Sequence, residues 1–80
     1  MEIQLIKGEF NSQDAVELIA QMIHIKIKYH ERKINSHSNE EDIKTRETKI
    51  KELQKELIEL RKIINSKTQS VKVEVIIKVD

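Results

Sequence analysis

Cysteine and proline are absent from this chain, glycine occurs once, and the aromatics are one phenylalanine and one tyrosine in 80 residues. Without cysteine there is no disulfide framework and no thiolate metal site. Without proline, and with Gly8 alone as a flexible point, the chain has room for few turns and long elements. No stretch approaches the roughly 20 apolar residues of a membrane span. The opening Met1-Glu2-Ile3-Gln4 lacks a basic segment leading into an apolar run, so no signal peptide is read there. The net charge of +1 sets up no general field toward nucleic acid. A cytoplasmic protein with one domain over residues 1–80 is expected, without membrane contact.

What the chain has in quantity is charge. Asp, Glu, Lys and Arg make up 36% of it. Such a composition belongs to a disordered chain or to long salt-laced helices, and periodicity decides between them. Val16, Ala20, Ile23, Ile27, His30 and Ile34 recur at alternating spacings of four and three, which is a heptad seam. Ile43, Ile50, Leu57 and Ile64 take one heptad position of a second seam, and Arg46, Leu53 and Leu60 take the other. Helices are therefore predicted over 12–36 and 39–66. The run Ile23 to Tyr29 also alternates as a strand would. The helical pattern continues on both sides of it with no turn signal between, so the helix is preferred.

The two seams agree with each other. An antiparallel hairpin opposes residues whose numbers have a constant sum. Ile34 with Ile43, Ile27 with Ile50, Ile23 with Leu53, Ala20 with Leu57 and Val16 with Leu60 satisfy this within one residue. The turn is read over Asn35 to Asn39, with Ser38 and Glu41 as a capping box. Asn11 or Ser12 caps the first helix. Glu40/Lys44, Asp42/Arg46 and Glu47/Lys51 are acid-first pairs four residues apart.

Strands flank the hairpin. Residues 2–7 put Ile3 and Leu5 on one side and Glu2, Gln4 and Ile6 on the other, and Gly8 is a natural place to turn. Residues 70–79 alternate Val71, Val73, Val75, Ile77 and Val79 with Lys72, Glu74, Ile76 and Lys78. The fold expected is α+β, in the order β-α-α-β. A long coiled-coil-like helical hairpin is flanked by terminal strands that pair antiparallel.

A two-stranded ribbon is marginal alone, and a chain of this length buries only about 60% of its unfolded surface. A second apolar line on the first helix, Ala15, Leu18, Met22, Ile25 and Tyr29, lacks an obvious cover. A homodimer is expected, through Met22, Ile25 and Tyr29, through the strand edge at Val73, Val75 and Ile77, or through both. The function expected is that of a small non-enzymatic interaction or scaffold protein, self-associating and binding a protein partner.

Two other readings compete. Residues 24–37 carry Lys26, Lys28, Arg32 and Lys33 against Glu31, while residues 1–23 carry Lys7 against Glu2, Glu9, Asp14 and Glu17. The chain is polarised, and the four cations are candidate phosphate contacts in a nucleic-acid-binding protein. The plainer account is a solvated helix face, since aromatics for stacking bases are scarce. Second, the hairpin register places His30 opposite Arg46 and Glu47, a polar layer in an apolar seam. With His37 it suggests a metal or pH switch; the plainer account is a layer that fixes register. The histidine spacings are not those of a helical metal pair, and His24 lies off the seam. No metal or cofactor is expected. Nor is an enzyme: there is no glycine-rich phosphate loop and no cysteine nucleophile, and the carboxylates stand at salt-bridging spacings.

Overall fold

The computed structural model describes residues 1–35, 37–66 and 70–80. Four elements follow one another: β1 (Glu2–Phe10), α1 (Ser12–Lys33), α2 (Glu40–Asn65) and β2 (Val71–Lys78). The helices fold back on each other and the strands pair antiparallel in one two-stranded sheet. The segment from Ile23 to Tyr29 is helical.

The helix ends show how local chemistry sets the boundaries. Asn11 caps α1, its Oδ1 accepting from the Asp14 amide at 2.8 Å, with Asp14 in the positive first turn. At the other end, α1 stops at Lys33 and Ile34 is extended. Ser36, where the first helix was expected to end, lies outside the described residues. The cap of α2 is Asn39, whose Oδ1 accepts from the Asp42 amide at 2.7 Å; Ser38 does not fill that role. Its hydroxyl instead donates to the Lys33 carbonyl at 3.1 Å and accepts from the Asn35 amide at 3.2 Å. A short side chain close to the free carbonyls of α1 satisfies them first, and that leaves the next residue to cap α2. Of the acid-first pairs, Glu40–Lys44 closes at 3.3 Å.

The seam positions are the ones the hairpin covers. Ala20, Ile27, Leu53, Leu57 and Ile64 are buried, and Val16, Ile23, Ile34, Ile43, Ile50 and Leu60 are half-buried. At the open end of the hairpin the helices lie on the sheet. Ala15, Ile64 and Val73 form the centre there, with Ile6, Phe10, Val16, Ile19 and Leu60 around them.

The first strand corrects two expectations. It does not turn at Gly8 but runs on to Phe10, with Gly8 opposite Val73 and Phe10 opposite Val71. Gly8 holds φ at +158°, a conformation that side-chain-bearing residues rarely adopt. Nor is Ile6 opposite the core. The ladder slips between Gln4 and Ile6 and leaves Leu5 without a Cα partner. This β-bulge resets the alternation, so that Ile6 and Phe10 pack on the core while Leu5 is 53% exposed.

The sheet outruns the helices. Its far end is closed by the Met1 amine donating to the Val79 carbonyl at 2.7 Å and the Val79 amide to the Met1 carbonyl at 2.8 Å. Beyond Val75 no helix among the described residues covers the apolar face enough to bury it, and Ile3, Ile77 and Val79 are exposed. The result is long and thin, 47 × 32 × 13 Å between Cα atoms. Among the described residues no large side chain is more than 98% buried.

Candidate functional site

Near the turn, the two seams each contribute one polar side chain. His30 follows Ile27 on the α1 seam and is 5% exposed. Arg46 occupies the matching seam position of α2 and brings Nη1 to 3.0 Å from His30 Nδ1. A guanidinium only donates, so Nδ1 accepts and the ring proton sits on Nε2. That Nε2–H is buried and, among the described residues, has no hydrogen-bond partner. Burial lowers the pKa of His30 from its ordinary 6.5, and the positive charges of Arg46, Lys49 and Lys26 lower it further. His30 is thus a neutral imidazole in the folded protein near pH 7.

Around this pair the surface is cationic and lightly aromatic. The Tyr29 ring meets the His30 ring edge-on at 5.5 Å. Lys33 Nζ stands 5.6 Å from the Tyr29 centroid and Arg46 Cζ 5.8 Å. Arg46 therefore turns to His30 and Tyr29 rather than to Asp42. Glu47 is exposed and stands outside the pair. His37 is exposed in the turn, its amide donating to Asn35 Oδ1 at 2.8 Å, and His24 is exposed on α1. Among the described residues no three His, Asp or Glu side chains are grouped to hold a metal ion.

The layer has a consequence for stability. The unfolded chain protonates His30 near its ordinary value of 6.5, above the value in the fold. Between the two values the unfolded state binds more protons, so stability is full above about 6.5 and falls as the pH drops below it. Urea midpoints between pH 8 and 5.5 are expected to fall on the acid side. In His30→Leu the share of that slope owed to His30 should vanish; an unchanged slope would remove the layer's role.

The four candidate phosphate contacts are all exposed, but they do not converge. Lys26 and Lys28 lie about 200° apart around α1 at about 100° per residue. Lys28 and Arg32 border, with Glu31, a shallow hollow of about 390 Å³ beside Ile25. Lys26 lies on the other side with His30, Lys49, Glu52 and Glu56 around a hollow of about 210 Å³. Lys33 is spent on Tyr29.

The apolar surface is more continuous. On α1, Leu18 is 36% exposed, Ile25 66% and Tyr29 45%, with Met22 half-buried between them. On β2, Val73 belongs to the chain's own core, Val75 is half-buried and Ile77 is 38% exposed. Two residues that the seam reading passed over join this set. Ile58 and Ile63 are more than half exposed on α2; both fall outside the heptad positions, and an apolar residue off the seam was the signal for them. A hollow of about 720 Å³ between Val16, Ala20 and Arg61 is lined by no histidine and by a single carboxylate, Glu17. Among the described residues no helix is long and apolar enough to cross a membrane. No protein-family model, no curated protein and no solved structure matches this chain.

Proposed function

We propose that this chain is a small non-enzymatic interaction protein whose first partner is a second copy of itself. The observation that carries this reading is surface. A folded chain of 9.5 kDa has 6588 Å² accessible, where a compact monomer of that mass exposes about 5,000 Å². The radius of gyration is 15.4 Å, against about 12 Å for a compact domain of this length. The excess, roughly 1,500 Å², is more than the ~800 Å² that one partner contributes to an interface of ordinary size. Much of it is apolar, on α1 at Leu18, Ile25 and Tyr29 and on the far half of the sheet at Ile3, Ile77 and Val79. Exposed apolar side chains grouped on one helix face and on one half of a sheet are what an interface would cover.

Sedimentation velocity over a concentration series tests the reading. A homodimer is expected at micromolar concentration, and a monomer at high micromolar concentration would sink it. Ile25→Glu measures the share of the α1 face: it weakens association if that face contributes, while Lys51→Glu, on the exposed side of α2, leaves association unchanged.

Nucleic-acid binding through Lys26, Lys28, Arg32 and Lys33 is the second reading, favoured by four exposed cations on one helix. The division of the four between two sides of α1, and the engagement of Tyr29 by Lys33 and Arg46, weigh against it. Its signature is affinity that collapses as salt rises, and no binding to duplex or single strands at low salt would remove it.

A further inference from the structure

The self-association proposed above has a surface on β2 suited to it, and the charges and exposed apolar residues of that strand together select one register. Both strands of the sheet have a free edge, but the edges differ. That of β1 is broken by the bulge at Leu5, and bulges blunt an edge against further pairing. That of β2 is regular from Val71 to Lys78. Met1 and Val79 exchange both of their backbone hydrogen bonds. In an antiparallel ladder such pairs alternate along the strand. The N–H and C=O groups of Lys72, Glu74, Ile76 and Lys78 therefore point to the free edge.

The existing ladder shows the rule that its outer face obeys. Glu2 stands opposite Lys78, Lys7 opposite Glu74 and Glu9 opposite Lys72. Every charged residue of β2 there meets the opposite sign, and like charges directly across a ladder are destabilising. A second copy adding to the β2 edge about a two-fold axis must obey the same rule. An axis at Glu74 sets Glu74 against itself. One at Val75 sets Lys72 against Lys78 of the partner subunit, and one at Ile77 sets Glu74 against Asp80 of the partner subunit. An axis at Val73 pairs Lys72 with Glu74 of the partner subunit but leaves Ile77 and Val79 beyond the partner's Ser70. An axis at Ile76 pairs Glu74 with the partner's Lys78 and Lys72 with the partner's Asp80, each twice by symmetry. It also sets Val75 against the partner's Ile77 and Val73 against the partner's Val79.

We infer that two copies join antiparallel through β2 with the axis at Ile76, making one four-stranded sheet in the order β1-β2-β2-β1. The register uses the chain from Lys72 to Asp80, two residues past the end of β2, and brings together the residues the single chain leaves open: Ile76 at 41% exposure, Ile77 at 38% and Val79 at 54%. It also sets the uncovered far half of each strand beside the half that the other copy's helices cover.

Because the chain has no cysteine, an introduced thiol is unique. Across the axis Ile76 faces its own copy as a hydrogen-bonded pair, about 5.5 Å between Cα atoms, within the span a disulfide bridges. Ile76→Cys is expected to form a covalent dimer on mild oxidation, under conditions where the protein sediments as a dimer. Glu74→Cys alone should not, since its own copy is then about four residues away along the strand, roughly 13 Å. Mixed with Lys78→Cys it should give the crossed heterodimer. All three sites are on the outer face of the sheet, so the fold is retained. Linking of Glu74→Cys alone as readily as Ile76→Cys overturns the register. A sedimenting dimer in which Ile76→Cys stays unlinked, while Ile25→Cys links, also overturns the register and leaves self-association standing. A monomer at every concentration removes both.

Discussion

Ile64→Ala is expected to cost about 2–5 kcal/mol of stability, the range for removing a buried isoleucine side chain down to alanine. A chain of 80 residues has about 4–12 kcal/mol in total at 0.05–0.15 kcal/mol per residue. The loss is therefore about a sixth of the whole at the least, and the urea midpoint by circular dichroism should fall in proportion. The position explains the size. Ile64 is 3% exposed and packs with Ala15 of α1 and Val73 of β2. It is the residue at which the hairpin and the sheet become one core. Ala15 is fully buried beside it, so the backbones already approach closely and the cavity cannot close by collapse. Ile63→Ala is the control. The same atoms are removed one position earlier, from a side chain 59% exposed, and the change should stay within about 0.5 kcal/mol. Equal losses at the two positions would mean that α2 sits on the sheet by a different face.

The second large effect is on the thermal midpoint, through protein concentration. In the proposed dimer, unfolding and dissociation are one process, so dilution destabilises the folded state. Each tenfold dilution removes about 1.4 kcal/mol. Two chains unfolding together have the entropy of a domain of about 160 residues, for which 1 kcal/mol moves Tm by about 2–4 °C. Tm should then fall by roughly 3–6 °C per tenfold dilution and by about 6–12 °C over a hundredfold. A midpoint constant over that range would show that one chain carries its own stability, exposed isoleucines included.

Several features of this fold are local, and for that reason legible in the order of residues. A helix seam is a rotation of about 100° per residue, a property of one segment that needs no partner to be read. The positions of Ala20, Ile27, Leu53, Leu57 and Ile64 follow from it, and so does the placing of His30 opposite Arg46, because both polar residues stand on seam positions that a hairpin must oppose. Glu47 was drawn into the same layer by its number. It lies one position from Arg46, and a single residue turns a side chain by more than a quarter of the helix circumference. The four cations of α1 are close in sequence, and the same rotation divides them in space.

The sequence by itself determined the two helices, their antiparallel register, the β-α-α-β order and the polar layer. Only the tertiary structure decided which face of β1 meets the core, which residue caps α2, which partner Arg46 takes, and how much of the sheet the helices cover. Each of these is a choice between groups on different segments. The bulge at Leu5 is a slip of one strand against another, and no period within either strand records it. Asn39 caps α2 because Ser38 is taken by the end of α1. Arg46 reaches across to His30 and Tyr29 because the hairpin brings them within 3.0 and 5.8 Å, a contact between two helices that the spacing of Asp42 and Arg46 within α2 does not record. The cover stops at Val75 because the helices end on one half of the sheet, and the length of strand left beyond them is the reason to look for a second chain.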